Sequence, residues 1–329
     1  MQVPFATPVW RINDEQQTRK VGFELEFAGL DLQTAAKAVV QAFDGEIIAD
    51  TKAECKVKHP EFGDFKIELD WTFAKNMARE RLQEKGENED ALMSLMTELA
   101  RQVVPLEVVC PPIPIDRLDV LNDIVRNLQQ QGALGTSDSL LYAFGVHINA
   151  ELPSTRPQHV VPYLQAYCLA QHWLVKAHGV DPVRRLTPYI DDYSKAYVGK
   201  VLKYTTDTSL PEIVDDYLKY NPTRNRGMDM LPLFKFIDES RVLNGVKDER
   251  VNARPTFHYR LPNCEIEKPE WQLSKSWNIW CVVEHLAADS SGLANMIDQW
   301  LAYENNLINL KEEPWHRTLT QIHDNLLSV

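Results

Sequence analysis

The chain has 329 residues, enough for two domains or one large one and for a substantial buried core. With 44% apolar and 25% charged residues it has the make-up of a folded protein, which excludes an intrinsically disordered chain. A net charge of −12 argues against non-specific capture of nucleic acid or of an anionic membrane surface.

In chain order, the opening MQVPFATPVWRIND lacks the basic region and apolar stretch of a secretory signal. Alternating apolar and polar residues predict a strand over Lys20 to Phe27, followed by a helix from Asp31 to Phe43 that Asp44-Gly45 stops. A second strand is expected over Phe65 to Trp71 and a helical insertion over 72–104, broken near Gly86-Glu87-Asn88. Strands over Leu106 to Cys110 and Ala143 to Ala150 flank a helix at Asp116 to Gln131. A long helix over His159 to Ala177 ends before Gly179, and a last strand is expected over Arg254 to Leu261. A helix is expected to start at Pro269, a favoured first-turn residue, and the C-terminal region 269–329 is read as helical, interrupted by Pro314. No repeat or linker divides the chain, so one composite domain over 1–329 is expected. Irregularly spaced strands among helices predict an α+β sheet with helices on one side, not a doubly wound parallel sheet. Neither GxGxxG nor GxxxxGK[ST] is present.

The five cysteines, Cys55, Cys110, Cys168, Cys264 and Cys281, are scattered and form no CxxC. That predicts free thiols in a reducing compartment, with neither a disulfide framework nor a zinc site. No apolar run approaches the roughly 20 residues of a membrane span, and a cytoplasmic location is expected.

Strand parity carries the functional signal, because alternate side chains face opposite ways. Glu24 and Glu26 share a face in the first strand, Lys66, Glu68 and Asp70 in the second, and Glu107 stands out in the third. His147 and Asn149 share a face in the fourth, and Arg254, Thr256, His258 and Arg260 in the fifth. The wet face of an ordinary antiparallel sheet alternates in the same way, but it mixes Lys, Thr, Gln and Ser. Here the face is acidic with two histidines. At an effective dielectric of about 20, two such carboxylates 4 Å apart repel by about 4 kcal/mol, so the cluster calls for protons or cations. Glu24, Glu26, Asp70, Glu107, His147 and His258 are therefore candidate metal ligands. Carboxylates with a minority of imidazole and no thiolate suit magnesium or manganese over zinc or copper. Such an ion takes remaining ligands from phosphates, and Arg254 and Arg260 on the same face can grip phosphate or carboxylate oxygens. Arg224 and Arg226, in NPTRNRGMD, form a second basic pair that serves equally as a surface ion pair.

The remaining aromatic, histidine and thiol residues read as structural. Trp271, Trp277 and Trp280 lie at helical spacing and read as core. His172, His178 and His285 read as structural hydrogen-bonding residues, Cys110 as a buried apolar residue, and Tyr193 and Lys195 receive no role.

The motifs VGFELEF, ELD followed by WT, LEVVCPP and GVHIN, with PTFHYRLP and the segment from Pro269 to Glu284, resemble the putative amidoligase family. These are carboxylate-amine ligases of the glutamine synthetase and glutamate-cysteine ligase fold. The resemblance implies a curved antiparallel sheet whose concave face holds magnesium and ATP, with helices on the other face. It implies that Glu24 and Glu26 are paired metal carboxylates, that Asp70 and Glu107 are the acidic ligands that follow, that His147 binds metal, and that Arg260 binds phosphate. His258 stands where the family's last strand usually carries a Glu. The implied reaction joins a small-molecule or peptide carboxylate to an amine, through an acyl phosphate. Two other readings stay open: a metal-dependent hydrolase using the same carboxylates and His147 without ATP, and a degenerate member that binds nucleotide or peptide without turnover.

Overall fold

The computed structural model describes residues 2–51, 53–69, 105–136, 143–186, 188–248, 250–304 and 313–328. Asp70 and the expected helical insertion at 72–104 lie outside them. Nine antiparallel strands form one sheet: β1 (Lys20–Phe27), β2 (Glu46–Asp50), β3 (Glu54–His59), β4 (Gly63–Leu69), β5 (Leu106–Val109), β6 (Ile113–Pro114), β7 (Val146–Ala150), β8 (Met228–Asp229) and β9 (His258–Tyr259). Their spatial order is β2-β3-β4-β5-β1-β7-β9-β8, with β6 paired to the start of β1. The architecture is α+β, as the irregular strand spacing leads one to expect.

Helices lie between these strands and after the last of them. They are α1 (Leu32–Phe43), α2 (Val120–Gln130), α3 (Pro157–Ala177), α4 (Pro182–Leu186), α5 (Lys195–Val201) and α6 (Leu210–Tyr220), then α7 (Leu231–Ile237), α8 (Glu239–Gly245), α9 (Leu273–Ala288), α10 (Ser290–Glu304) and α11 (His316–Leu327). Asp31 caps α1 by accepting the Thr34 N–H at 2.7 Å, and Asp44, at φ +54°, turns the chain out of it. The helix expected to begin at Pro269 begins at Leu273. Consecutive turns from Glu265 to Lys268 and from Lys268 to Trp271 use the preceding backbone donors.

Parity divides the sheet. Val21, Phe23, Leu25, Phe65, Ile67, Val108, Val146, Ile148 and Tyr259 are all fully or almost fully buried on the helix side. There α1 packs on β3 and β4, and α3 and α9 back the β1 and β9 end. Trp277 and Trp280 are buried on α9, as their helical spacing suggests, and Trp271 is buried from the turn before it, not from the helix; Trp280 lies 4.9 Å from the Tyr259 ring. All five cysteines are free and buried. Burial pushes the Cys110 thiol far above its ordinary range, with the Glu24 charge adding to it, so it is no nucleophile. Among the described residues no helix is long and apolar enough to cross a membrane.

A buried ion pair ties the N-terminal part to α9. Arg19, 1% exposed, approaches both oxygens of Glu284 at 2.9 and 3.0 Å, and donates to the Trp10 and Glu151 carbonyls. Trp280 Nε1 and the Tyr163 hydroxyl donate to the same carboxylate. Burial opposes the Arg19 charge, but Glu284 outweighs it and leaves the guanidinium more basic than usual.

The structural histidines divide. His178 Nε2 meets the Tyr259 hydroxyl at 2.7 Å, and burial lowers its pKa to about 3. His285 Nε2 is buried without a hydrogen-bond partner. His172, on α3, meets Glu313 at 2.8 Å, and His316 of α11 contacts the carboxylate's other oxygen. Burial alone raises Glu313; the two histidines reverse this and hold it at about 2. The Glu313 hydrogen bond raises His172 against the effect of its burial. Stability from Glu313 is present above the unfolded carboxylate value of about 4.3 and is lost as pH falls towards 2. Stability from His172 is complete below about 6.5 and is lost as pH rises through its raised value. Thermal melts should therefore show the largest deficit for Glu313→Gln near pH 5 to 6, shrinking on both sides. A deficit independent of pH would show the contact to be simple packing.

Candidate functional site

The polar side of β1 and its neighbours gathers the residues singled out by parity. The register places Glu26 opposite Glu107 and Glu24 opposite His147. It also continues the acidic row outward, with Glu107 opposite Glu68 and Glu68 opposite Glu54. At the outer end lysines balance it: Lys66 lies 2.5 Å from Glu68 and 3.2 Å from Glu54, and Lys56 lies 3.4 Å from Glu54.

Glu24 is the hub. Its Oε2 is 2.8 Å from His147 Nδ1 and 3.7 Å from His258 Nε2, and its Oε1 accepts from Asn149 Nδ2 at 3.0 Å and from Arg254 Nη1 at 3.3 Å. Burial pushes this carboxyl up, but the His147 hydrogen bond and the proximity of His258 hold it well below the usual range. Burial lowers His147, so the imidazole favours its neutral form. With Nδ1–H donating to Glu24, a neutral His147 turns the Nε2 lone pair towards Glu26 Oε1, 3.6 Å away. Glu26 is fixed from its other oxygen, which accepts the Gly145 N–H at 2.7 Å. Gly145 is required there: a Cβ would stand 2.6 Å from Arg184 Nη2.

Two groups of potential ligands result among the described residues. Glu24, His147 and His258 bring one donor atom each within 4.8 Å of one another, and Glu26, Glu107 and His147 do the same. The second group is oxygen-rich and fits a hard cation such as magnesium or manganese. The first holds two imidazoles to one carboxylate, so imidazole is not its minority donor as the sequence suggests; it fits a borderline ion as well as a hard one. Both groups share His147, and a neutral imidazole has one lone pair to offer.

The arginines separate. Arg254, partly exposed, reaches Glu24 directly. Arg260 donates to the Tyr189 and Arg224 carbonyls, at 3.3 and 3.0 Å, while its buried Nε has no partner. Arg224 Nε is likewise buried without a hydrogen bond, 3.8 Å from Asp229 Oδ2, and burial followed by repulsion from Arg260 lowers its pKa. Two orphaned guanidinium donors near one another suit an incoming anion. Arg226 is instead engaged by Asn221 Oδ1 at 2.8 Å, by the Asn225 carbonyl and by Asp191, which favours the structural option for it. Tyr193 donates to the Met228 carbonyl and Lys195 pairs with Glu304, so neither enters the site.

Sequence reasoning missed Arg184. It is buried on the five-residue α4, where no periodicity marks it, and it donates to the carbonyls of Arg260, Leu261 and Pro262 at 2.8 Å each and to Asn263 Oδ1 at 3.1 Å. Burial lowers its pKa to about 10, a loss that the nearby Glu26 charge opposes, so it remains a cation at neutral pH. Asp229 was missed too, on a strand too short to show alternation.

The model of the family described as putative amidoligase enzyme matches residues 17–282. That span includes every residue named in the site. No curated protein and no solved structure matches the chain.

Proposed function

The chain belongs to the putative amidoligase family, and on that premise we propose that it is an ATP-dependent carboxylate-amine ligase of the glutamine synthetase-like type. The observation that carries the reading is the convergence of Glu24, Glu26, Glu107, His147 and His258 on one sheet face, beside orphaned donors of Arg224 and Arg260. Glu26, Glu107 and His147 would hold one divalent cation, and Glu24 with His258 would hold a second. Asp70, outside the described residues, is proposed to extend the acidic set. Bound magnesium or manganese would neutralise phosphate charge and align the γ-phosphate.

The protein's own groups then supply positioning and electrostatics. Arg254, Arg260 and Arg224 are proposed to bind phosphate oxygens as the substrate carboxylate attacks the γ-phosphorus. ADP leaves and an acyl phosphate forms. An amine then attacks the acyl carbon, inorganic phosphate departs with the C–O electron pair, and the amine proton passes to solvent or to a site carboxylate, leaving an amide. Glu24 fixes the His147 tautomer, and Arg184 secures the carbonyls that set the position of Arg260.

The test is product formation with Mg-ATP and panels of acids and amines. ADP release that is stoichiometric with amide and needs both partners is expected. Hydrolysis of an amide without nucleotide would replace the ligase by a metal-dependent hydrolase. Absence of Mg-ADP binding in calorimetry would remove the nucleotide from the reading altogether.

A further inference from the structure

Asp229 and His258 are direct cross-strand partners on β8 and β9. Asp229 is 0% exposed. Its Oδ1 accepts the Leu231 N–H at 2.9 Å, which fixes the carboxylate in the fold, while its buried Oδ2 has no hydrogen-bond partner. That oxygen lies 3.6 Å from His258 Nδ1, which is also buried and without a partner. The other ring nitrogen of His258, Nε2, lies 3.7 Å from Glu24 Oε2. The ring thus stands between two carboxylates, one facing each nitrogen.

A buried carboxylate oxygen and a buried ring nitrogen left unpaired side by side would each carry a desolvation cost that a small rotation removes. A metal-bound imidazole commonly donates its second N–H to a carboxylate, which sets both tautomer and ring orientation. We propose that Asp229 is the positioning residue for His258: Oδ2 accepts Nδ1–H and presents the Nε2 lone pair, with Glu24, to a divalent cation. The inference rests on the metal-site reading above. Arg224 Nε, 3.8 Å from the same oxygen, neutralises the carboxylate without supplying an acceptor for the ring.

Asparagine at 229 keeps one acceptor. With that oxygen held by the Leu231 N–H, the amide NH₂ faces His258 Nδ1 and imposes the opposite tautomer, removing the lone pair from Nε2. Nitrogen-15 NMR of the histidines in the metal-free full chain reads this directly. At a pH high enough for the ring to be neutral, wild type should show His258 as the Nδ1–H form, and Asp229→Asn should convert it to the Nε2–H form. In parallel, titration with Co²⁺, followed by its visible absorption, should show affinity falling about 10- to 100-fold in Asp229→Asn. The wild-type spectrum needs no substitution, so a variant that misfolds does not block the test. Finding His258 as Nε2–H in wild type, or unchanged tautomer and Co²⁺ affinity in the variant, would overturn the proposal. Wild type that holds the Nδ1–H form but binds no divalent ion would leave the Asp229–His258 hydrogen bond standing and defeat the metal-site reading instead.

Discussion

Glu26→Gln is expected to lower Mg-ATP turnover by about 100- to 1000-fold while leaving the metal-free protein folded, with little change in its melting temperature. The two halves of this expectation have separate causes. Glutamine retains a carbonyl oxygen, so the 2.7 Å hydrogen bond from the Gly145 N–H can persist and the β1 register is undisturbed. What it removes is a negative ligand from the group formed with Glu107 and His147. It also removes a like charge opposite Glu107 in the sheet, which relieves repulsion when no cation is bound, and a counter-charge near buried Arg184, so the two effects on stability oppose each other. Steady-state ADP release and a thermal melt in chelator measure the two effects. Turnover retained within a few-fold would show that the cation sits elsewhere; a melt lowered by several degrees would show that Glu26 is structural.

The largest stability effect is expected far from that site, at Arg19 and Glu284. Arg19→Met leaves Glu284, fully shielded from solvent, with only the Tyr163 hydroxyl and the Trp280 N–H to compensate its charge. Removing one partner of a buried pair costs about 3–5 kcal/mol, because an uncompensated charge remains. The double change Arg19→Met with Glu284→Gln should recover most of that loss, since the amide oxygen still accepts from Tyr163 and no net charge stays buried. Urea unfolding of the two variants settles the matter. If the double variant is as unstable as the single one, the loss reflects the hydrogen bonds of Arg19 to the Trp10 and Glu151 carbonyls and not the stranded charge.

Parity made the heart of the site legible, and did so for a physical reason. In β1 the sequence KVGFELEF forces Val21, Phe23, Leu25 and Phe27 into the core, so Glu24 and Glu26 have no other side to occupy. The same logic exposed Glu107 and His147, whose strands are flanked by helices that need an apolar face. It weakened at β9. The alternating run from Arg254 to Leu261 forms only two residues of regular strand, because Pro255 and Pro262 bring no N–H to a ladder. Single hydrogen bonds from Phe257 to the Ala150 carbonyl and from Arg260 to the Gly227 carbonyl still keep the run alongside its neighbours, which is why His258 arrives where parity placed it. Strand β3 was readable in retrospect, since Cys55, Val57 and His59 are buried in alternation with Glu54, Lys56 and Lys58. Asp229 and Arg184 were beyond any periodic argument: one lies on a two-residue strand and the other on a single turn of helix, and only the fold brings them to the site.

Arg184 has a wider meaning for how the end of the sheet is built. Beyond Tyr259 the chain leaves regular pairing, and the acceptors at 260–263 are collected by one guanidinium, which has five donors in a fixed plane. A side chain there reinforces the sparse backbone bonds, from Arg260 to the Gly227 carbonyl, from Val146 to the Pro262 carbonyl and from Cys264 to the Phe144 carbonyl, that still tie the run to its neighbours. The anchorage of that stretch therefore combines a few backbone bonds with a single cation that must stay charged and buried. The position of the Arg260 side chain is thus fixed from behind, by a clasp that grips carbonyls and leaves the side chain itself free of that duty.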